Sequence, residues 1–231
     1  MSPVVASSSS DGTNADTIDC TKPSGVEVGD LLVGLHRGRG GGGTGDFTSP
    51  SGFTEIAGLT FPYTADPGNH DCAVAYRIAD ASDVAASTYA WYEDNGGNPI
   101  RHAVIMLRIT GADTADPFGL SDYSDADFVA PSVALDSTDL PALVLRLFGR
   151  QGDSAITVPG TEIATVAGLS GDAHVARISA SYDTADDPDT VTGTATATTG
   201  SSSSEFAGTL VVRPAPAPAA TVTARWGAIH I

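Results

Sequence analysis

The same succession of short apolar runs and Pro-Gly turns occurs twice along this chain, about a hundred residues apart. The first series reads Pro23-Ser24-Gly25-Val26, an apolar run at 31–35, Pro50-Ser51-Gly52-Phe53-Thr54-Glu55-Ile56, Ala73-Val74-Ala75-Tyr76-Arg77-Ile78 and a run at 103–110. The second reads Pro131-Ser132-Val133, a run at 143–148, Val158-Pro159-Gly160-Thr161-Glu162-Ile163, His174-Val175-Ala176-Arg177-Ile178 and a run at 206–212. The period is too long for a solenoid repeat, so the pattern describes a duplicated β unit. Strands are expected at 18–22, 30–36, 53–59, 71–78, 87–92 and 102–110, then at 128–132, 142–148, 162–166, 173–182, 189–199 and 207–213, each bounded by Gly, Pro, Asp or Asn. That is an all-β count: a duplicated antiparallel β-sandwich, jelly-roll-like, of roughly a dozen strands.

Period and composition refine this expectation. The segment 190–198 alternates small polar and small apolar residues at period two, as a half-exposed strand does, whereas 103–109 and 207–212 are nearly continuous apolar runs suited to central strands covered on both faces. The segment 79–86, with Asp80, Ser82 and Asp83 as N-caps, has room only for one short helical turn. Hydrophobic residues are 41% of the chain and charged residues 17%, which supplies a core and excludes global disorder. Residues 1–16, rich in Ser and small polar groups, read as a flexible or subunit-ordered N-terminal arm, and 17–213 as the sandwich, with halves at 17–112 and 128–213. Residues 214–220 alternate Pro and Ala, a stiff spacer that cannot join a ladder. Beyond it, 221–231 is a β-prone tail whose Val222, Trp226, Ile229 and Ile231 are expected to dock on another subunit or back on their own domain.

The formal charge of -17 comes from 23 Asp and 5 Glu against ten Arg and a single Lys, Lys22. Such a surface repels phosphate, so neither nucleic acid nor an anionic membrane is an expected partner. Short carboxylates bond their own backbone two residues on, which places most of the aspartates in turns. Cys20 and Cys72 lack the spacing of a zinc site and read either as two buried thiols or as one disulfide. The amino terminus has no basic region followed by an apolar core, and no apolar stretch approaches bilayer length; the expectation is a protein made in the cytoplasm without a signal peptide.

No catalytic motif stands out. Gly40-Gly41-Gly42-Gly43-Thr44-Gly45 satisfies a dinucleotide pattern nominally, but a turn and a strand come after it rather than the helix that must face a pyrophosphate. The five histidines have no metal spacing and no nucleophile elbow occurs. Catalytic residues and cofactors are accordingly expected to be none, with one weak exception: Asp122, Asp125 and Asp127 are spaced as oxygen ligands for calcium, although a solvated turn explains them better in the absence of an EF-hand glycine and closing Glu. Trp91 and Tyr92, beside the polar loop at 93–98, and Tyr63, beside the turn at 66–69, are the glycan-stacking candidates, since pyranose faces stack on such rings; the competing reading makes Trp91 a core residue.

The string Pro23-Ser24-Gly25-Val26-x-Val28-Gly29-Asp30-Leu31-Leu32, with Pro50-Ser51-Gly52-Phe53-Thr54, Ala75-Tyr76-Arg77-Ile78-Ala79 and the closing Ala103-Val104-Ile105-Met106-Leu107-Arg108, is similar to a loosely defined family of phage-encoded β-sandwich proteins. Its members occur among minor tail and virion-surface proteins of tailed phages. The resemblance covers residues 20–214 and its motifs are structural. It implies a non-enzymatic virion component, a minor tail or head decoration protein, whose partners are copies of itself and other virion proteins. Two further classes stand beside it: a carbohydrate-binding module that adheres to a host surface glycan, and a glycan hydrolase domain, which would require a well-placed pair of carboxylates.

Overall fold

A computed structural model describes residues 2–15, 17–38, 46–59, 71–94, 101–124, 128–151, 154–167, 176–186, 191–199 and 205–217. Strands β1 (Val4–Asn14), β2 (Thr17–Thr21), β3 (Leu31–Gly38), β4 (Asp46–Thr48), β5 (Thr54–Glu55), β6 (Asp71–Ile78), β7 (Thr88–Asp94) and β8 (Arg101–Thr110) make the first half. The second half holds β9 (Phe118–Ser124), β10 (Val129–Ala130), β11 (Ala142–Gln151), β12 (Ile156–Thr157), β13 (Thr161–Ala167), β14 (Ala176–Ala185), β15 (Ala195–Thr196), β16 (Thr198–Thr199) and β17 (Glu205–Val212).

The duplication is visible in the strand order. The first five-stranded sheet runs β1-β8-β3-β6-β5 and the second, read from its other edge, runs β9-β17-β11-β14-β13. Each strand of one sheet thus has a counterpart in the same place in the other. A smaller sheet, β2-β7-β4, covers the first; the pairs β10-β15 and β12-β16 cover the second, where the counterpart of β7 is split in two. Each half is therefore an antiparallel jelly roll with one large and one small sheet.

Burial shows how the halves combine. Leu31, Val33 and Leu35 of β3 and Ile105, Leu107 and Ile109 of β8 share one cluster with Leu143, Leu145 and Leu147 of β11 and Phe206, Leu210 and Val212 of β17, so the two five-stranded sheets pack face to face. The alternate residues Leu32, Val104 and Met106 point the other way, toward Ile18, Cys20, Tyr89 and Trp91 of the small sheet. On the far side Phe148 and Ala207 meet Phe128, Ile156, Ala195 and Ala197. Four layers result. The inner sheets are covered on both faces, which is why β3, β8, β11 and β17 are apolar at nearly every position.

Several expectations are corrected. The N-terminal segment is neither a flexible arm nor ordered by a neighbouring subunit: β1 pairs along its length with β8 of the same chain, with a register shift between Val5 and Ser7. Ser7 and Ser9 tie it further by donating from Oγ to the carbonyls of Ser24 and Thr21. The strand expected at 53–59 shrinks to Thr54–Glu55, because Gly58 turns the chain at φ +83. Within 189–199 the described part is a bridge at Val191 and two short strands flanking Ala197, interrupted by Gly193 at φ +69. Strands β4, β9 and β12 were not expected. The spacer also joins in: Pro214 bridges Ala112, and the Ala215 N–H donates to the Gly111 carbonyl at 2.8 Å.

The one described helix, α1 (Ala81–Ala85), falls where a short turn was expected. Asp80 caps Ser82 and Asp83 N–H groups while Asp83 accepts from the Asp80 N–H at 2.8 Å, a reciprocal box that satisfies the exposed donors of so short a helix. Cys20 and Cys72 are both buried thiols and are not joined by a disulfide. They lie on opposite sides of the first large sheet, Cys20 among the small-sheet residues and Cys72 in the central cluster, which rules out a bond between them here.

Gly34 sits in the middle of β3, where glycine is normally unfavourable. An added Cβ would overlap the Trp91 indole and come within 2.8 Å of Met106 Sδ. Gly34→Ala should therefore lower stability by about 2 to 3 kcal/mol in urea denaturation. An unchanged midpoint would show that Trp91 does not lie against β3.

Candidate functional site

The polar side chains drawn into the fold are the place to look for chemistry, and several of them secure turns. Asp30, just before β3, accepts from the Glu27 N–H at 2.7 Å and from Arg108 Nε at 2.6 Å. In the second half Asp139, just before β11, accepts from the Asp136 N–H at 3.0 Å and from Arg213 Nε at 2.8 Å, and Arg213 also pairs with Asp116. The same device closes both halves: an aspartate that folds its own turn, held by an arginine from the far end of the unit. Arg77 plays a related part at α1, reaching Asp83 at 2.8 Å and Asp80 at 2.6 Å while donating to the Ser51 carbonyl.

The two Pro-Ser-Gly turns are seats for these arginines. Gly25 at φ +70 lies under Arg108, where a Cβ would be 2.8 Å from Nη1, and Gly52 at φ +83 lies under Arg77, where a Cβ would overlap Nη1. Both positive φ and close approach demand glycine. The Asp80 carboxyl is held well below the usual carboxylate range, first by the Ser82 hydroxyl and N–H and then by Arg77.

Arg146 is a buried cation, 2% exposed in the outer core of the second half. Its guanidinium donates to Thr209 Oγ1 at 2.6 Å and to the carbonyls of Pro131, Thr192 and Gly193 at 3.1, 2.6 and 2.8 Å. By register Arg146 stands where Gly34 stands in the first half, opposite Thr209 as Gly34 is opposite Met106. One slot is filled in two ways. In the first half Trp91 leans in over a glycine; in the second a long arginine lies across small residues and pins the loop at 191–193.

The remaining polar pair is histidine on histidine. His36 and His102 are both buried, with Nε2 of the first 2.7 Å from Nδ1 of the second. Their rings stack at 4.9 Å, and the Trp91 indole lies 5.5 Å from His36. Desolvation, then the neighbouring His102, hold His36 well below the ordinary imidazole value. Desolvation brings His102 down to about 4, against an opposing effect of the Ala15 carbonyl. Burial likewise pushes the Cys20 thiol up to about 12, so it is an inert thiol rather than a nucleophile.

The residues singled out from the sequence are dispersed. Trp91 is fully buried, packed against Gly34, Phe53 and His36, so it offers no ring face to a sugar; its role is core packing. Its neighbour Tyr92 points outward, 39% exposed. Asp122 is exposed on β9 and accepts from the Tyr123 N–H at 2.8 Å, a local turn contact. Asp125 and Asp127, Tyr63, the glycine run at 40–45, and Val222, Trp226, Ile229 and Ile231 lie outside the described residues. Among the described residues no group of three or more His, Cys, Asp or Glu is placed to hold a metal ion.

Sequence reasoning missed the histidine pair and the buried arginine. A signal existed for each: His36 and His102 stand at the ends of segments expected to be strands, and Arg146 interrupts an apolar run. What was missing is the pairing, since the histidines are 66 residues apart. Comparison with protein-family models, curated proteins and solved structures finds no match.

Proposed function

We propose that this chain is a non-enzymatic structural protein of a tailed-phage virion, exposed on the outside of the tail or capsid. The observation that carries the reading is the architecture, two jelly rolls stacked through their large sheets, the jelly roll being a fold of viral capsid and lectin domains. Fold alone hosts many functions. The reading therefore also draws on what several polar groups do: the buried Asp30, Asp83, Asp139 and Arg146 and the partly buried Arg77, Arg108 and Arg213 fasten turns, helix and strands to one another.

In this reading the segment 221–231 docks on a neighbouring copy or another virion protein, with Val222, Trp226, Ile229 and Ile231 as anchors each worth about 1.5 to 3 kcal/mol when buried. Because Ala215 is bonded to Gly111, the truncation that tests this removes 218–231 and spares the bonded stretch. The shortened chain should fold with an unchanged melting temperature yet be lost from particles. Normal incorporation would refute docking by the tail.

Tyr92 keeps the adhesion reading alive as a second one, since it is an exposed ring beside Glu93 and Asp94 on β7. Glycan-array binding that disappears in Tyr92→Ala would favour it; Trp91→Ala cannot serve, because it disturbs the core.

A further inference from the structure

The two halves differ at one buried position in a way that matters in acid. In the β3–β8 register His36 faces Val104, and in the β11–β17 register Phe148 faces Ala207 at the corresponding step. The imidazole of the first half is thus a phenyl ring in the second. His102 in turn faces Thr13 of β1, so the N-terminal strand runs alongside the pair in the same sheet.

We propose that the His36–His102 pair is an acid-sensitive latch that holds β1 and the first jelly roll closed at neutral pH and releases them as the pH falls, while the second jelly roll stays closed. The pair is bonded at 2.7 Å through one shared hydrogen, which requires at least one ring to be neutral. A second proton would place two cations in contact in a site with 0% exposure for both residues. Opening is then the only route by which both can charge.

Both imidazoles lie below their ordinary value with the surrounding charges in place. Asp11 of β1 is two steps along from Thr13, opposite Val104, and its Oδ1 takes the Gly12 N–H at 3.3 Å. Asp19 of β2 is exposed, and Arg37 of β3 turns into the central core over Gly149. Arg101 of β8 is next to His102 on the opposite face of its strand, while Asp71 of β6, Asp46 of β4 and Glu93 and Asp94 of β7 occupy strand ends. The effects that lower His36 are burial first and His102 second.

The direction comes from proton linkage. Both rings have a folded value below the unfolded one, so the unfolded state binds more protons, and stability is full above about pH 6.5 and falls as the pH drops through it. For His102 the fall ends near 4, where the folded ring also protonates. Between pH 7 and pH 5 the open population should rise about 25-fold for each imidazole and several hundred-fold for the pair.

Amide hydrogen exchange on the full chain, at pH 7 and pH 5 and corrected for intrinsic rates, tests this with the second half as internal control. Peptides from β1 and β8 should lose protection at pH 5 while those from β9 and β17 keep theirs. The double variant His36→Phe with His102→Leu should abolish the difference, and Asp11→Asn should leave it in place. If the double variant fails to fold, ring carbon NMR of the wild-type protein decides: neither ring should titrate between pH 8 and 5 in the folded signal. A ring that titrates near 6.5, or halves that lose protection equally, would overturn the latch.

Discussion

Trp91→Ala should be the most damaging single truncation in the first half, lowering stability by about 3 to 5 kcal/mol and the melting temperature by about 10 °C. Trp91 heads the fully buried side chains by volume; it meets β3 at Gly34 and the loop before β5 at Phe53, and shares its cluster with Met106 of β8. Its removal leaves a hole with a glycine for a floor, which no side chain at that position of β3 can fill. The same geometry makes the effects of residues 34 and 91 strongly non-additive. In the Trp91→Ala background, Gly34→Ala should cost much less, since the ring it collides with is gone and only the flexible Met106 thioether has to shift. Equal costs in both backgrounds would mean that the two residues do not meet.

Arg146→Ala should cost about 4 kcal/mol for a different reason. The guanidinium donates to three carbonyls and a hydroxyl in a buried site; its loss takes that donor from the Thr192 carbonyl and the Thr209 hydroxyl and leaves Pro131 and Gly193 with threonine hydroxyls alone. Replacement by methionine fills the volume but offers no N–H, so it should recover little. Lysine keeps the charge and loses the planar fork, and should recover less than half of the loss. Thermal melts of the three variants give the order; equal stability of the methionine variant and the wild type would show that packing, not donation, is the role of Arg146.

How far the sequence was legible depends on what holds each element in place. Strand β6 matches its expected bounds and β3, β8, β11 and β17 lie within a few residues of theirs, because strands covered on both faces must be apolar throughout and so announce themselves. Strand β1 was illegible as a part of the domain: its run of serines offers no apolar face, and its order comes from backbone pairing with β8 and from its own serine hydroxyls, which donate to carbonyls of β2 and the loop after it. The counterpart of β7 in the second half is broken into β15 and β16, and the even alternation at 190–198 concealed the break. At the site, the aspartates did prove to be turn residues wherever Asp30, Asp113, Asp136 and Asp139 are concerned. Trp91 and the histidines were read one by one, whereas their roles depend on partners brought together only by the jelly-roll order.

The reading as a virion component is tested most directly by quantitative mass spectrometry of particles purified on density gradients from lysates in which the chain is expressed. The account predicts a fixed copy number per particle, retained after high-salt washing, with the chain labelled by antibody on intact particles. Recovery of the chain only in the soluble lysate, with purified particles free of it, would contradict the account.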